Sequence, residues 1–201
     1  MVVITIAGGT GSGKSTLAVD LSSELSAPVI SIDDYYRPQN HRTFDERLAL
    51  NFDEPAAIDH EFLLQQLDHL RRGQAVIKPV YDFSHHTRAE ASEIIEPSGI
   101  LIVEGLFAFA WEELRNQSLC KIFVETPVET RFERRLKRDI EERGRDCDEV
   151  TTRFTHHVNP MHELHVAPTI CYADLVVSGL ENPARNLELA LKQIHSAPIF
   201  M

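Results

Sequence analysis

Gly8-Gly9-Thr10-Gly11-Ser12-Gly13-Lys14-Ser15-Thr16 decides the fold of this chain. The stretch satisfies G-x-x-x-x-G-K-[ST], and what flanks it turns the pattern into an argument. Before it, Val2-Val3-Ile4-Thr5-Ile6-Ala7 is β-branched and nearly continuously apolar, as a central parallel strand covered on both faces must be. After it, Leu17, Leu21 and Leu25 recur every four residues beside Ala18 until Ala27-Pro28 stops the pattern, so 14–25 reads as an amphipathic helix. Strand, glycine loop and helix together make a polyphosphate cradle. Phosphate oxygens must be met by many backbone N–H groups at close range, where side chains obstruct and glycine does not. The helix N-terminus adds its positive dipole end. Gly8, Gly9, Thr10, Gly11, Ser12 and Gly13 are thus expected around the phosphates, with Lys14 on the β and γ groups, the Ser15 hydroxyl on Mg²⁺ and Thr16 as a further phosphate contact.

The alternation continues outward from this unit. Val29-Ile30-Ser31-Ile32 is a second strand, and a polar stretch to about residue 54 follows Asp33-Asp34-Tyr35-Tyr36; loops of that length commonly carry function. Ile58, Phe62, Leu63, Leu67 and Leu70 give a helical face over 56–72, started by Pro55 and stopped by Gly73. Two β-rich pieces, about 75–83 and 92–96, flank Ser84-His85-His86-Thr87-Arg88 and predict a small antiparallel insertion over the site. Ile100–Gly105 and Lys121–Glu125 read as buried strands. Thr126-Pro127-Val128-Glu129 combines a capping box with proline at the first helical position of a 127–143 helix. A further helical stretch runs to about 165 with a break near Asn159-Pro160, and Asp174–Val177 and 184–195 supply a last strand and helix. The pattern predicts one α/β domain over 1–201: a doubly wound five-stranded parallel sheet of the P-loop NTPase type, a β-hairpin insert at about 75–97 and a helical lid at about 131–160.

Composition narrows the function. The chain is 43% hydrophobic and 25% charged, which excludes a disordered or fibrous protein. Its formal net charge of −11 disfavours nucleic acid or an anionic membrane as partner, since either would require a local reversal of sign. Cys120, Cys147 and Cys171 are odd in number and form no Cys-x-x-Cys pair, so a reducing, cytoplasmic setting is expected. The apolar run Val2–Ala7 is too short for a membrane span.

Two carboxylates and a group of arginines stand out beside the glycine loop. Asp33 follows the second strand, where a carboxylate can take or orient the proton of an acceptor hydroxyl. Glu104 ends the Ile100–Val103 strand, and a buried run seldom ends in carboxylate for packing reasons; it is placed to hold Mg²⁺ or its waters. Arg131, Arg134, Arg135, Lys137, Arg138, Arg143 and Arg145 crowd one stretch. Some can pair at helical spacing with acids such as Glu133 or Asp139, the ordinary pattern of a solvated helix. In an acidic protein, though, a positive cluster is also what a lid must bring to a transferring phosphoryl group. Neither Asn-Lys-x-Asp nor a Leu-Ser-Gly-Gly-Gln-like signature occurs, so ATP rather than GTP is the expected donor and an ABC-type ATPase is excluded.

The chain resembles the uridine/cytidine kinases, within the wider group that also holds phosphoribulokinase and pantothenate kinase. The resemblance rests on the glycine loop, Ser31–Tyr36, Asn51-Phe52-Asp53-Glu54-Pro55, Pro79–Phe83, His86-Thr87-Arg88, Glu104-Gly105, Arg134–Ile140, Glu142–Arg145 and Tyr172-Ala173-Asp174, in that order and spacing. It implies ATP- and Mg²⁺-dependent phosphorylation of the ribose 5′-hydroxyl of uridine or cytidine, in a homo-oligomer, tetramer or dimer. It implies Asp33 as base, Asp53 on the ribose hydroxyls, and Tyr81 and His86 at the pyrimidine. Arg135 and Arg145 fall on the nucleoside side, Arg138 and Arg143 nearer the phosphates. The chain departs from the family pattern at Arg153, where glutamine is usual, and at Ile170-Cys171, where a Lys-Lys or Lys-Arg pair is usual. His156, His157, His162 and His165 lie close together but are read as surface or structural, since no second cysteine lies near and Pro160 interrupts them. A phosphoribulokinase-like sugar-phosphate kinase and a non-catalytic nucleotide-binding regulator are the alternatives.

Overall fold

A computed structural model describes residues 1–48 and 50–197; the last residues of the expected domain, 198–201, lie outside the described residues. Strand β1 (Val2–Gly8) leads through the glycine loop into α1 (Lys14–Leu25), then β2 (Val29–Ser31). After the short α2 (Phe44–Leu48) and α3 (His60–Arg71) come the hairpin strands β3 (Val76–Asp82) and β4 (Thr87–Ile95). The core resumes with β5 (Ile100–Glu104), α4 (Glu112–Gln117), β6 (Ser118–Glu125), α5 (Val128–Glu141), α6 (Cys147–Arg153), α7 (Asn159–His165), β7 (Leu175–Ser178) and α8 (Pro183–His195). The main sheet is five-stranded and parallel in the order β2-β5-β1-β6-β7, so the glycine loop leaves its central strand.

The near-continuous apolar strands are explained by burial on both faces. Val3 and Ala7 of β1 join Leu101, Val103 and Phe123 in a core closed by Leu63, Leu67 and Leu70 of α3. Their neighbours Ile4 and Ile6 point the other way, to Ile102, Ile122, Leu17 and Leu21 of α1, and Ala190 and Ile194 of α8. The two-residue period of a strand deals alternate side chains to two helical layers. Each fully buried isoleucine contributes about 2 kcal/mol by leaving water, which fixes the strand from which the loop springs.

Four local expectations are corrected. The 56–72 helix is split: Pro55–Ala57 is a single 3₁₀ turn and α3 begins at His60. Ile58 is instead bridged to Tyr36, with Arg37 N donating to Ala57 O at 2.9 Å and Asp59 N to Tyr35 O at 2.8 Å, so pairing with the chain after Asp33 wins over helix propensity. Strand β4 begins at Thr87 rather than 92, after a tight turn in which Asp82 Oδ1 accepts from the backbone N–H groups of Ser84 and His85. Pro127 precedes α5 instead of opening it, and Thr126 caps nothing: its hydroxyl donates to Ser12 O at 3.0 Å and ties the glycine loop to the start of the lid. Finally, no break occurs at Asn159-Pro160. A π-helical turn over Phe154–Val158 carries α6 into α7, with Asn159 N bonded to Phe154 O, and the wider register accommodates a proline that has no N–H to give.

Candidate active site

Two hollows meet at the glycine loop. The first, about 410 Å³, is lined by Gly11 to Leu17 and bounded by Arg134, Arg138, Gly179, Glu181, Pro183 and Asn186. Its loop conformation is one that side chains would spoil. Gly13, the cap of α1, has φ 99°, and Gly11 has φ 71° with the Arg131 carbonyl oxygen 2.5 Å from where a Cβ would stand. Lys14 is buried at the first position of α1, while Ser15 and Thr16 face outward into the cleft. Arg134 closes one wall, donating to Gly179 O at 2.9 Å and to Gly11 O at 3.4 Å.

Gly8 and Gly9 lie behind the loop rather than in this cleft. Gly8 pairs with Val124 in the sheet, and the Gly9 backbone is covered by Arg131 and His162. Burial, with Arg131 and Lys14 near, pushes the His162 ring down to about 4, so it is neutral at pH 7. This is the role of one member of the histidine group; among the described residues no three His, Cys, Asp or Glu side chains gather as a metal site.

The second hollow, about 60 Å³, brings together Asp33, Asp53, Tyr81, His86, Arg135, Arg138, Arg143 and Arg145, beside Lys14 and Thr10 of the loop. Tyr36, Phe52, Phe83, Leu106 and Arg153 complete it. Asp33 sits in the 3₁₀ turn Ile32–Tyr35 that follows β2. Its neighbour Asp34 is occupied: the buried Lys78 ammonium and the Tyr81 N–H, the latter at 3.2 Å, both bond it, which fastens the hairpin to this turn. The turn is held from outside by Arg88, which donates to Tyr36 O at 2.9 Å and to Asp59 at 3.1 Å. Asp33 is therefore presented on a braced scaffold.

The aromatic wall is layered. Tyr81 lies 4.9 Å from Tyr36 and 5.1 Å from Phe83, and its buried hydroxyl has no hydrogen-bond partner among the described residues. Burial, then the Asp33 charge, raises its phenol well above the ordinary range, so it stays an O–H donor. The His86 ring stacks on Phe52 at 5.4 Å with 22° between planes, and its backbone takes φ 52° at the turn. Burial and the nearby Arg145, Arg153 and Arg47 bring His86 down to about 4, so it too is neutral. Burial raises the Asp53 carboxyl, against the pull of Arg135 and Arg153.

Glu104 stands between the hollows, paired in register with Ile6 and Ser31 and buried at the end of β5. Burial raises its carboxyl, opposed by Lys14 and by hydrogen bonds from Ser31 and Ser15. Its Oε2 has no hydrogen-bond partner among the described residues. An orphaned carboxylate oxygen beside a loop hydroxyl is the kind of oxygen-only donor set a hard divalent cation takes, so these residues fit Mg²⁺.

The arginines divide unevenly. Arg138 lines both hollows, Arg135 reaches the Thr10 hydroxyl at 3.3 Å, and Arg143 lies on the acceptor side with its guanidinium 3.9 Å over the Phe83 ring. The Asp139–Arg143 pair is not a solvated helix contact, because Asp139 is completely buried. Arg134 belongs to the arginine cluster singled out in the sequence, but Asn186 and the 179–183 turn were not legible as donor-cleft walls: a glycine, a glutamate and a proline in a polar turn carry no spacing signal. Arg153 is legible only as a departure from the family pattern.

A glycine-loop cleft on the central strand, abutting a carboxylate-bearing pocket under a lid of arginines, defines a P-loop phosphotransferase. The model of the Phosphoribulokinase / Uridine kinase family matches residues 3–184, and the chain belongs to that family. It is 44% identical over 178 residues to a uridine kinase of Macrococcus caseolyticus, covering 87% of this chain and 86% of that one. A uridine kinase of Staphylococcus haemolyticus is 42% identical with the same coverage. Among solved structures, a putative fructose transport system kinase from Silicibacter sp. TM1040 superposes with TM-score 0.69 at 23% identity over 88% of this chain and 89% of that chain. A possible uridine kinase from Bacillus stearothermophilus does so with TM-score 0.53 at 22% identity over 87% of each. The solved structures share the fold.

Proposed function

We propose that the protein transfers the γ-phosphoryl group of ATP to the ribose 5′-hydroxyl of uridine or cytidine, giving UMP or CMP. One observation carries the reading: a single pocket beside Lys14 holds a free carboxylate on a braced turn, a second, half-buried carboxylate, and a Tyr/His pair. A carboxylate such as Asp53 accepts from two vicinal hydroxyls, and Tyr81 with neutral His86 offers a planar base a π-face and polar edges. The uridine kinase names of relatives 42–44% identical over most of the chain support the same acceptor.

In this reading Asp33 takes the 5′-hydroxyl proton as the oxygen attacks the γ-phosphorus; the new O–P bond forms as the bond to ADP breaks. Lys14 and the arginines meet the charge on the transferring group. Mg²⁺, held by Ser15 and through Glu104, would neutralise charge on the phosphate oxygens when bound. The three cysteines are all unpaired thiols, which suits a reducing cytoplasm, and a homo-oligomer, dimer or tetramer, belongs to the proposal.

ADP release with MgATP against uridine, cytidine, adenosine, thymidine and ribulose 5-phosphate tests it. Release driven by uridine or cytidine is the expected result. Release driven only by ribulose 5-phosphate would move the protein to the sugar-phosphate branch of its family, and silence with every acceptor would favour a non-catalytic nucleotide binder.

A further inference from the structure

The completely buried carboxylate of Asp139, near the end of α5, is shared by four guanidinium groups. Arg138 donates to Oδ1 through Nε at 3.0 Å and Nη2 at 2.8 Å, and Arg143 Nη1 lies 3.2 Å from the same oxygen. Arg145 Nη1 donates to Oδ2 at 3.3 Å, and Arg135 Nε stands 3.5 Å from it. The Arg145 N–H also bonds the Asp139 carbonyl at 3.0 Å, which wraps the chain back around its side chain.

Fold maintenance does not call for four partners. Elsewhere in the chain Arg72 pairs with Asp68, and Arg185 with Glu188, one to one. Here one carboxylate, with about four lone-pair sites, is saturated, and the four guanidiniums still outnumber Asp139 and the pocket's Asp33 and Asp53 together. The mutual repulsion is felt: burial, then Arg138, brings Arg143 down to about 10. Such a surplus persists because something holds the arginines together. All four line the acceptor pocket, and Arg138 lines the donor cleft as well.

We infer that Asp139 is a positioning residue that converges these four arginines on the junction between the two hollows and also tempers their grip on a bound polyphosphate. The inference rests on the kinase reading above. The carboxylate competes with phosphate oxygens for the same N–H groups, so it weakens ground-state binding while aiming the guanidiniums at the place where charge develops in transfer. Without it the arginines repel one another apart; their charge still attracts phosphate, but their geometry is lost.

Asp139→Asn, isosteric and uncharged, separates the two effects. The measurements are kcat and KM for uridine and MgATP, binding of inorganic tripolyphosphate by calorimetry, and thermal unfolding. Loss of aim predicts kcat about 100-fold lower and KM for uridine about tenfold higher, while tripolyphosphate binds as tightly as to the wild type or several-fold more tightly. A kcat within threefold of the wild type overturns the inference, as does tripolyphosphate affinity that falls in step with kcat and Tm, since that marks a packing role. Where Asp139→Asn does not fold, Asp139→Glu decides: the charge is kept but displaced, so about tenfold lower kcat with unchanged tripolyphosphate affinity is expected, and wild-type kinetics or a second failure to fold overturns the proposal. Wild-type protein that turns over no acceptor refutes the kinase reading instead, and the tripolyphosphate arm still reports on Asp139.

Discussion

The donor cleft and the acceptor pocket are made of different material. The cleft, about 410 Å³, is built largely on one contiguous run, Gly11 to Leu17, in which Gly11 and Gly13 hold positive φ. The pocket, about 60 Å³, is assembled from side chains of separate segments: the turn after β2, the Phe52-Asp53 stretch, the hairpin and the lid. Ligand pockets usually enclose roughly 300–1,000 Å³, a range that the donor side reaches and the acceptor side falls well short of. The lid and the hairpin meet at its wall, where Arg143 lies over Phe83. Phosphate is common to every nucleotide and can be met by a rigid backbone; an acceptor must be discriminated, and enclosing it excludes water from the attacked phosphorus.

The largest expected effect breaks the pair chemically. Asp33→Asn keeps the volume and the turn but removes the proposed base, so kcat should fall about 1,000-fold while ATP affinity by calorimetry is unchanged. Turnover within tenfold of the wild type would remove Asp33 from its role. The next prediction asks whether the hollows are separable. Arg138 lines both, so Arg138→Ala should lower kcat about 100-fold and raise KM for both ATP and uridine. Arg134 lines only the donor cleft and is largely exposed there, so Arg134→Ala should raise KM for ATP alone, by about three- to tenfold. If Arg134→Ala also disturbs KM for uridine, the division between the two sides is wrong.

The same contrast governs what could be read without coordinates. The donor loop is legible because its chemistry is local: glycine spacing, an apolar strand before it and a four-residue leucine period after it are properties of consecutive residues. The parallel sheet is legible for the same reason, since double burial writes itself as an unbroken apolar run in β1 and β5. The acceptor pocket depends on approach across the chain. Nothing near Asp34 reports that Lys78 will pair with it rather than with Asp33, and nothing near Thr126 reports that its hydroxyl will serve Ser12 rather than its own helix. Asp139 was the most misleading, because its i, i+4 spacing to Arg143 is that of an ordinary surface pair and only burial distinguishes it. Family resemblance located Asp53, Tyr81 and His86; local physics alone would have left Tyr81 a strand aromatic.

Smaller effects test the acceptor wall itself. The Tyr81 hydroxyl is buried and unpartnered among the described residues, so it is available to a bound ligand; Tyr81→Phe removes one hydrogen bond and should raise KM for the nucleoside about five- to tenfold with KM for ATP unchanged. Unchanged KM for both would leave the hydroxyl without a part in acceptor binding.

The smallest effect is one of stability with pH. His86 and His162 are both brought from the ordinary 6.5 down to about 4, mainly by burial, His86 on the acceptor side and His162 behind the donor loop. Above pH 6.5 each ring is neutral folded or unfolded and contributes no pH dependence. Between 6.5 and 4 the unfolded chain binds protons that the folded chain refuses, so stability falls as pH falls, with most of the loss reached near pH 4. Allowing for partial solvent screening, about 1 kcal/mol for each ring is expected, which lowers Tm by roughly 2–4 °C per ring. His86→Asn should remove its share of the slope and leave that of His162, and His162→Asn the reverse. Saturating uridine should steepen the slope through His86, because a ligand seated on the ring buries it further, while tripolyphosphate in the donor cleft should leave the His86 share unchanged. Equal slopes in the wild type and both variants would mean that neither ring stays neutral in the folded protein, and the layered aromatic wall would have to be redrawn around a charged His86.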